Sequence, residues 1–586
     1  MHSKYWYKDL SFLSIFYIFL FMLFLGSHHL ISPDETRYVG IAWSMFKDHN
    51  YVTPLLAGSP FLGKPILYYW FETLSFHVFG VTEFAMRFFP ALIGLFTCLM
   101  TYVFGRQVYN RRTAIIASLM VAAAPMYFML THYTNMDGEV ASWITCSMLF
   151  LLIGIHHIKL SKHSSTWFYL AYFFAALAFL TKGLMGLIFP AMILFFWMLA
   201  LNQWRYLLKI RLITGLILFF IIITPWLYLC EKQNPGFIQY FFIWNQFDRF
   251  LGDGFNQKKP WFFYLPMVIG GIFPFVFYML QSYRHHIKNI WKNKHAHRTE
   301  LFILLWIVLI TLFFSIPTSK LVGYIGPVIP ATAILMAIYV SRMWDQKPSK
   351  ANQISTWIII VILPITAIAL VSLAFVIPEQ KGILASAPYA RILGVILILT
   401  SATLIFGLLK KKYFGFLIST LLAMVFLVNI TLIASLKTWN LQFNWPIAHK
   451  TQHYLNIKPN AEVYMFGTYF YSIPMYLDRN VPTIANWQER DLHQMPDNWQ
   501  RQIEEGIKIY NKPLPNTLMT YHEFASRWES AQKSGQTFLV IVSTGQLKTF
   551  TQLVDDKQHY QILATIPRRN AIVISNNLQL KPILTP

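Results

Sequence analysis

Two acids and a scatter of cations stand out from a chain that is otherwise greasy. Ser32-Pro33-Asp34-Glu35-Thr36-Arg37-Tyr38 opens a long polar interruption, which runs on through Gly63-Lys64-Pro65 and Tyr68-Tyr69-Trp70. A second acid stands in Thr134-Asn135-Met136-Asp137-Gly138-Glu139. Cations follow in Thr181-Lys182-Gly183, in Asp248-Arg249-Phe250 and in Pro317-Thr318-Ser319-Lys320. Any one of these cations is accounted for by snorkelling to a membrane surface. Four of them, Lys64, Lys182, Arg249 and Lys320, call for a common cause, and an anionic ligand such as a lipid phosphate supplies it. Phosphate recognition takes several point charges and at least one forked guanidinium. Asp34 and Asp137, in neighbouring loops, could face one cavity. A plainer reading stands beside each acid. Ser32-Pro33-Asp34-Glu35 has the form of a capping box with Ser32 as N-cap, in which Glu35 serves the helix dipole. Asp137 could be a solvated loop acid.

The elements that must hold these residues are membrane helices. Of the residues, 56% are apolar, 17% aromatic and only 12% charged, the balance of a membrane protein. Apolar stretches long enough to cross a hydrocarbon core of roughly 30 Å recur about thirteen times. They lie near 10–27, 88–105, 113–131, 141–158, 167–181, 183–201, 212–230, 261–281, 300–316, 321–340, 356–377, 391–409 and 413–434. The first lacks a strongly basic start and a small-residue cleavage site, and so reads as a span rather than a signal peptide. Lys and Arg gather in alternate loops, for example Arg106, Arg111 and Arg112, then Arg205, Lys209 and Arg211, then Lys410, Lys411 and Lys412. This pattern places the amino terminus inside and the polar interruption outside. A net charge of +23 is then mostly topogenic and suits an anionic inner leaflet. No basic soluble domain is present to take up nucleic acid.

After Leu436 no segment is long and apolar enough to span. Short β-rich runs, such as Glu462-Val463-Tyr464-Met465-Phe466, the run 537–542 and Ala571-Ile572-Val573-Ile574, alternate with helical stretches near 497–509 and 521–533. Residues 437–586 therefore read as an external α/β domain, and 1–436 as a transmembrane catalytic domain whose first external loop covers about 28–87. The three cysteines, Cys98, Cys146 and Cys230, fall inside apolar spans and cannot staple the external domain.

In order along the chain, Asp34-Glu35-Thr36-Arg37-Tyr38, Gly63-Lys64-Pro65 with Tyr69-Trp70, Thr181-Lys182-Gly183, Asp248-Arg249-Phe250 and Phe313-Phe314-Ser315 leading to Lys320 and Tyr324 resemble the lipid A aminoarabinose transferases of Gram-negative bacteria. These belong to the protein O-mannosyltransferase-like superfamily of the GT-C fold. The resemblance covers roughly residues 9–345. It implies an α-helical polytopic membrane protein of the GT-C fold, with a carboxyl-terminal periplasmic α/β domain, in the bacterial inner membrane. It implies an enzyme that moves a sugar, an amino sugar such as 4-amino-4-deoxy-L-arabinose, from an undecaprenyl-phosphate-linked donor to a phosphate of lipid A. Asp34 and Asp137 become the essential acids, and Lys64 and Arg249 hold the carrier phosphate. Lys182, Arg37, Lys320 and Tyr324 line the same cavity, and Glu35, Tyr38 and Tyr69 join the substrate-binding set. The acids would bind the sugar's amino group or steady the developing oxocarbenium charge, while the cations stabilise the departing phosphate.

Two departures from the family bear on cofactors. An acid is usual where this chain has Gly63, and a His near the position of Gln246, both associated there with a metal. Their replacement argues for no metal and no cofactor. The His285-His286 segment with His295 and His297 lies in an inside loop, the wrong side for the reaction. Other acceptors, such as another glycolipid, core oligosaccharide or protein, and other sugars, such as galactosamine or mannose, fit the same motifs. A lipid-linked sugar transporter or flippase would be expected to show inverted-repeat halves or mid-membrane charges, and neither is visible. A sensor whose tail is the working part leaves the paired acids unexplained.

Overall fold

Every one of the thirteen apolar stretches coincides with a helix or a bent pair of helices in the computed structural model. The structure describes residues 5–248, 258–376, 387–439, 443–487, 492, 495, 498–554 and 560–583. Among the described residues eight helices are long and apolar enough to cross a membrane: Glu83–Val108, Met136–Lys159, Leu212–Gln233, Arg298–Ser315, Val322–Met343, Lys350–Ser372, Ala387–Leu409 and Phe414–Thr438. The number rises to 10 if two bent pairs each count once. Those pairs are Arg111–Ala123 with Pro125–Thr131, bent by 65°, and Tyr264–Gly271 with Val276–Lys292, bent by 105°. The first bend falls at Pro125, whose ring cannot continue the preceding helix. Trp6–Met22, Ser165–Lys182 and Met185–Leu201 are the helices over the remaining three stretches. The protein is a multi-pass membrane protein.

The chain forms two compact units. One is drawn from residues 1–28, 84–225 and 257–440, the other from 29–83, 226–256 and 441–586. The chain-order limit read at 436/437 thus marks the end of the last span, whereas the polar interruption groups with the tail. In the first unit several charged groups on the helices are satisfied internally, as a hydrocarbon surround demands. Asp9 accepts from Tyr102 at 2.7 Å and from both arms of Arg111 at 2.7 Å. The fully buried Arg87 donates to the carbonyls of Leu25 and His28 at 2.8 and 2.9 Å.

The second unit is built on a sheet. A two-residue hairpin of β1 (Leu55–Leu56) and β2 (Ser59–Pro60) precedes six strands: β3 (Glu462–Phe466), β4 (Thr483–Ile484), β5 (Leu518–Met519), β6 (Phe538–Ser543), β7 (Gln561–Ile566) and β8 (Ala571–Ser575). Their order is β5-β4-β3-β6-β8-β7. The first four are parallel, with Glu462 opposite Phe538, while β8 and β7 run antiparallel to their neighbours. Side chains alternate across a strand, and both faces here are covered. Val463, Met465, Leu539, Ile541 and Val573 pack with Ile447 and Tyr454 of the Trp445–Ile457 helix. Tyr464, Phe466, Val540, Val542 and Ile574 pack with Phe524 and Trp528 of the Tyr521–Ser534 helix. Two covered faces explain the near-continuous apolar runs of the central strands.

Residues 29–83 pack on this sheet domain. His29 stacks on Trp445 at 4.4 Å, Ile31 bridges Phe443, Ser59 donates to the Ile503 carbonyl at 2.7 Å, and Lys47 pairs with Asp478 at 2.8 Å. The Asp34–Asp48 helix comes so close that a Cβ on Gly40 would stand 2.5 Å from the Tyr471 carbonyl oxygen. Gly40→Ala should therefore lower stability by about 1–3 kcal/mol, the scale of overpacking. Thermal unfolding of the purified protein checks this, and an unchanged midpoint would show that the helix can retreat without cost.

Candidate functional site

Asp137 is not a loop acid. Asn135 caps a helix by accepting the Asp137 N–H at 2.8 Å, and the helix runs Met136–Lys159. The first turn of this helix carries Asp137, only 5% exposed. Ser165–Lys182 packs along it and ends at Lys182, itself 8% exposed. The ammonium of Lys182 donates to the Asp137 carboxylate. It also sits over the ring of Tyr324, 4.3 Å from the centroid, a cation–π contact that reinforces the charged form. Tyr324 belongs to the 3₁₀ turn Val322–Ile325 and leans on Phe314 with centroids 5.5 Å apart. Within this turn Gly323 lies against the acid, since a Cβ there would overlap the Asp137 carboxylate. Asp137, Lys182, Tyr324 and Gly323 thus form one tight group, of which the sequence reading lacked only Gly323.

Lys320 lies close by in the sequence but is engaged otherwise. Its ammonium is 2% exposed as a residue and donates to the carbonyls of Pro317 and Lys259. Burial holds it below the ordinary lysine value, because desolvation disfavours the charged form.

In the second unit the helix Asp34–Asp48 starts one residue later than the capping-box reading requires, with Pro33 as N-cap and no side-chain cap bond. Ser32 instead accepts from the Thr36 hydroxyl at 3.4 Å. Glu35, fully buried, reaches back to accept the Ile31 N–H at 2.8 Å. That is half of a capping box, made with a backbone group further upstream, and it is the structural duty foreseen for Glu35. Asp34 has its side chain 54% exposed and lies 3.8 Å from Arg37, a loose pair.

Arg37 is the centre of an aromatic cluster. Its guanidinium lies over the Tyr38 ring at 4.9 Å and donates to the Tyr38 hydroxyl at 3.4 Å. Tyr38 meets Tyr68, and Tyr68 meets Tyr69, each edge to face at 5.8 Å. Burial works against the Arg37 charge, but Tyr38, Tyr471, Asp34 and Tyr69 outweigh it, and the guanidinium is held above its ordinary value. Burial pushes the Tyr69 hydroxyl well up, with Tyr38 adding to the effect and Arg37 opposing it. The sequence reading names Tyr68 within its run but assigns it no role, and it does not single out Tyr471. For Tyr68 its place beside Tyr69 was a signal, whereas nothing local points to Tyr471.

Lys64 is half-buried. Beside it, the Gly63 carbonyl accepts from the Asn245 side chain, and the Gly63 Cα faces the Tyr240 hydroxyl and Asn245 amide at ordinary contact distance. An amide and a phenol, rather than an acid and an imidazole, occupy this corner. Arg249 and the side chain of Gln246 lie outside the described residues. Among the described residues no group of three or more His, Cys, Asp or Glu side chains is arranged to hold a metal. His286 is buried against the Leu335 carbonyl at 2.9 Å, and His285 contacts Asn289 and Arg342.

Residues 63–229 match the family described as dolichyl-phosphate-mannose-protein mannosyltransferase. The chain is 30% identical over 344 residues to undecaprenyl phosphate-alpha-4-amino-4-deoxy-L-arabinose arabinosyl transferase 2 of Proteus mirabilis, which covers 58% of this chain and 61% of that protein. It is 29% identical over 349 residues to the corresponding transferase of Aeromonas hydrophila, covering 59% and 62%. The aligned part thus spans less than two thirds of either relative. The crystal structure of ArnT from Cupriavidus metallidurans bound to undecaprenyl phosphate superposes with a TM-score of 0.79 at 23% identity, covering 99% of this chain and 100% of that one. The fold is GT-C. Over the aligned part the chain is similar in sequence to the aminoarabinose transferases, and its fold is that of the Cupriavidus metallidurans ArnT.

The buried Lys182–Asp137 pair makes a sharp prediction. Removing one partner of such a pair strands the other charge and costs about 3–5 kcal/mol. Asp137→Asn and Lys182→Met should each lower the unfolding midpoint markedly, and Asp137→Asn/Lys182→Met should recover most of the loss. Thermal unfolding in detergent is the measurement, and single variants as stable as the parent would show that the pair is not closed in the membrane protein.

Proposed function

We propose that this protein is a membrane glycosyltransferase that moves an amino sugar, 4-amino-4-deoxy-L-arabinose, from undecaprenyl phosphate to a phosphate of lipid A. The observation that carries the reading is the buried Lys182 ammonium, paired with Asp137 and laid over Tyr324. A cation held so firmly in water-poor surroundings is a preorganised electrostatic group, the kind that stabilises charge developing on a leaving phosphate. The names of the relatives supply the donor and sugar, and the undecaprenyl phosphate in the Cupriavidus metallidurans structure supports the same carrier.

In the reaction the bond between the sugar's anomeric carbon and the carrier phosphate oxygen breaks, and the electron pair stays with the carrier phosphate. A lipid A phosphate oxygen forms the new bond to that carbon. An acceptor that is already an anion needs no strong base. Lys64 and Arg249 grip the carrier phosphate, and Lys182, Arg37 and Tyr69 add charge and hydrogen bonds to the anions. Asp34 and Asp137 hold the sugar's amino group or offset the oxocarbenium charge, and Glu35, Tyr38, Lys320 and Tyr324 complete the lining. The residues at Gly63 and Gln246 support a reaction without a bound metal. We place the site and the α/β domain 437–586 on the periplasmic side of the inner membrane, following the distribution of Lys and Arg.

Transfer by the purified protein from undecaprenyl-phosphate-linked aminoarabinose to lipid A, read by mass spectrometry, tests the reading. Asp34→Asn should fold normally, because the side chain is exposed and loosely paired, and should lower turnover by roughly 100-fold or more. Arg249→Lys should also be damaging, because an ammonium cannot reproduce a forked contact. Activity should survive a strong chelator. Full activity in Asp34→Asn removes that acid from the reaction, and loss with EDTA restored by zinc or magnesium overturns the metal-free mechanism.

For the orientation, a reporter fused after Pro586 should be active only when it folds in the periplasm. Activity confined to the cytoplasmic form of the reporter would reverse the assignment.

A further inference from the structure

The helix Val276–Lys292 carries a feature that sugar transfer does not use. It leaves the Tyr264–Gly271 helix at a bend of 105°. One face, Tyr278, Ser282 and His286 at four-residue spacing, is buried. Tyr278 bonds Thr356 at 2.8 Å, and Ser282 and His286 bond the Leu335 carbonyl at 3.4 and 2.9 Å. The opposite face shows Leu280, Ile287 and Trp291, which are 74%, 49% and 90% exposed. Beside that apolar stripe Arg284, Lys288 and Lys292 repeat one helical turn apart, all exposed. None of the three takes part in an ion pair among the described residues. Two open grooves flank Trp291. One, of about 800 Å³, runs along Leu280, Tyr283 and Ile287 with the three cations. The other, of about 580 Å³, lies between Ile290, Trp291, Leu301 and Leu304, with Lys292 and Lys294 at its edge.

An apolar stripe edged by a row of cations is the pattern of a helix lying in the interface of an anionic membrane, with Trp at the headgroup level. We propose that this helix and its grooves form a binding site for an anionic glycerophospholipid. The lipid phosphate rests on Arg284, Lys288 and Lys292, and the acyl chains follow Leu280, Ile287 and Trp291. Charge complementarity selects the occupant. Three unneutralised cations in one row favour an anionic headgroup over a zwitterionic one, and apolar grooves beside them favour a lipid over a free anion. The inference does not depend on the transfer reaction, since none of these residues belongs to that set.

The test uses the full-length protein in detergent, with added phosphatidylglycerol or phosphatidylcholine. Thermal unfolding and the lipid retained on the protein, counted by native mass spectrometry, are the two readouts. Phosphatidylglycerol should be retained about tenfold over phosphatidylcholine and should raise the unfolding midpoint further. Arg284→Gln/Lys288→Gln/Lys292→Gln should lose that preference while keeping its response to phosphatidylcholine, which reports that it is folded. Lys288→Gln alone should show an intermediate preference, and Trp291→Ala should weaken retention of both lipids. Equal retention of the two lipids by the parent, or an unchanged preference in the triple variant, overturns the proposal. Glycerol phosphate alone reproducing the shift would make this a free-anion site. A polyprenyl phosphate outcompeting phosphatidylglycerol here, or a dimer masking the stripe, would equally reject it.

Discussion

A charged group in water-poor surroundings must be answered by another charge or give up its own. Lys182 closes one helix and is answered by Asp137, which opens the preceding one alongside. The Tyr324 face above the ammonium and the missing side chain of Gly323 beside the acid are fitted to that pair. The low dielectric that makes each charge costly alone also makes the pair strong together. A preorganised pair of this kind needs no rearrangement when charge appears on a substrate, which is the property a phosphate-leaving reaction exploits. Arg37 solves the same problem differently, with ring faces and phenols in place of a close carboxylate.

How far the sequence revealed these arrangements depends on the distance over which each is made. Helices are local, and all thirteen apolar stretches became helical, although the bends at 124 and between 271 and 276 left no mark in hydropathy. Strands β3, β6 and β8 could be read because each is apolar on both faces. β4 and β5, two residues each, are too short to carry a period. Asp137 and Lys182 were both visible as candidates, but the run Thr134-Asn135-Met136 looked like a loop, and burial of the acid comes from Gly323, far along the chain. Ser32 was read as a cap because its type suits that role, yet Glu35 took over by reaching upstream to Ile31. Tyr471 could not be found at all. Its closeness to Arg37 and Gly40 exists only once the tail has folded against the Asp34–Asp48 helix.

The two units also treat polar atoms differently. In the first, Asp9 is matched to Arg111 and Arg87 to backbone carbonyls. In the second, tyrosines do this work for Arg37, giving it a broad, partly apolar surround. Such a surround can receive both the charged head and the greasy stem of a lipid-like ligand, because a ring presents an electron-rich face and an apolar edge together.

The second unit has a kinetic consequence. Its hydrogen bonds join Ser59 to Ile503, Ala57 to Thr517, Leu30 to Tyr476 and Ser32 to Arg569, across more than 400 residues of chain. A newly made 29–83 segment therefore emerges on its side of the membrane long before its packing partners exist. During that wait its apolar face is uncovered, the state in which segments mispair or aggregate. Loop closure over such separations is slow for reasons of chain entropy. The local order that the Asp34–Asp48 helix carries within itself, including the Glu35 carboxylate closing on Ile31, is the part of this segment that can form at once. The last strands to be synthesised complete the surface on which it finally rests.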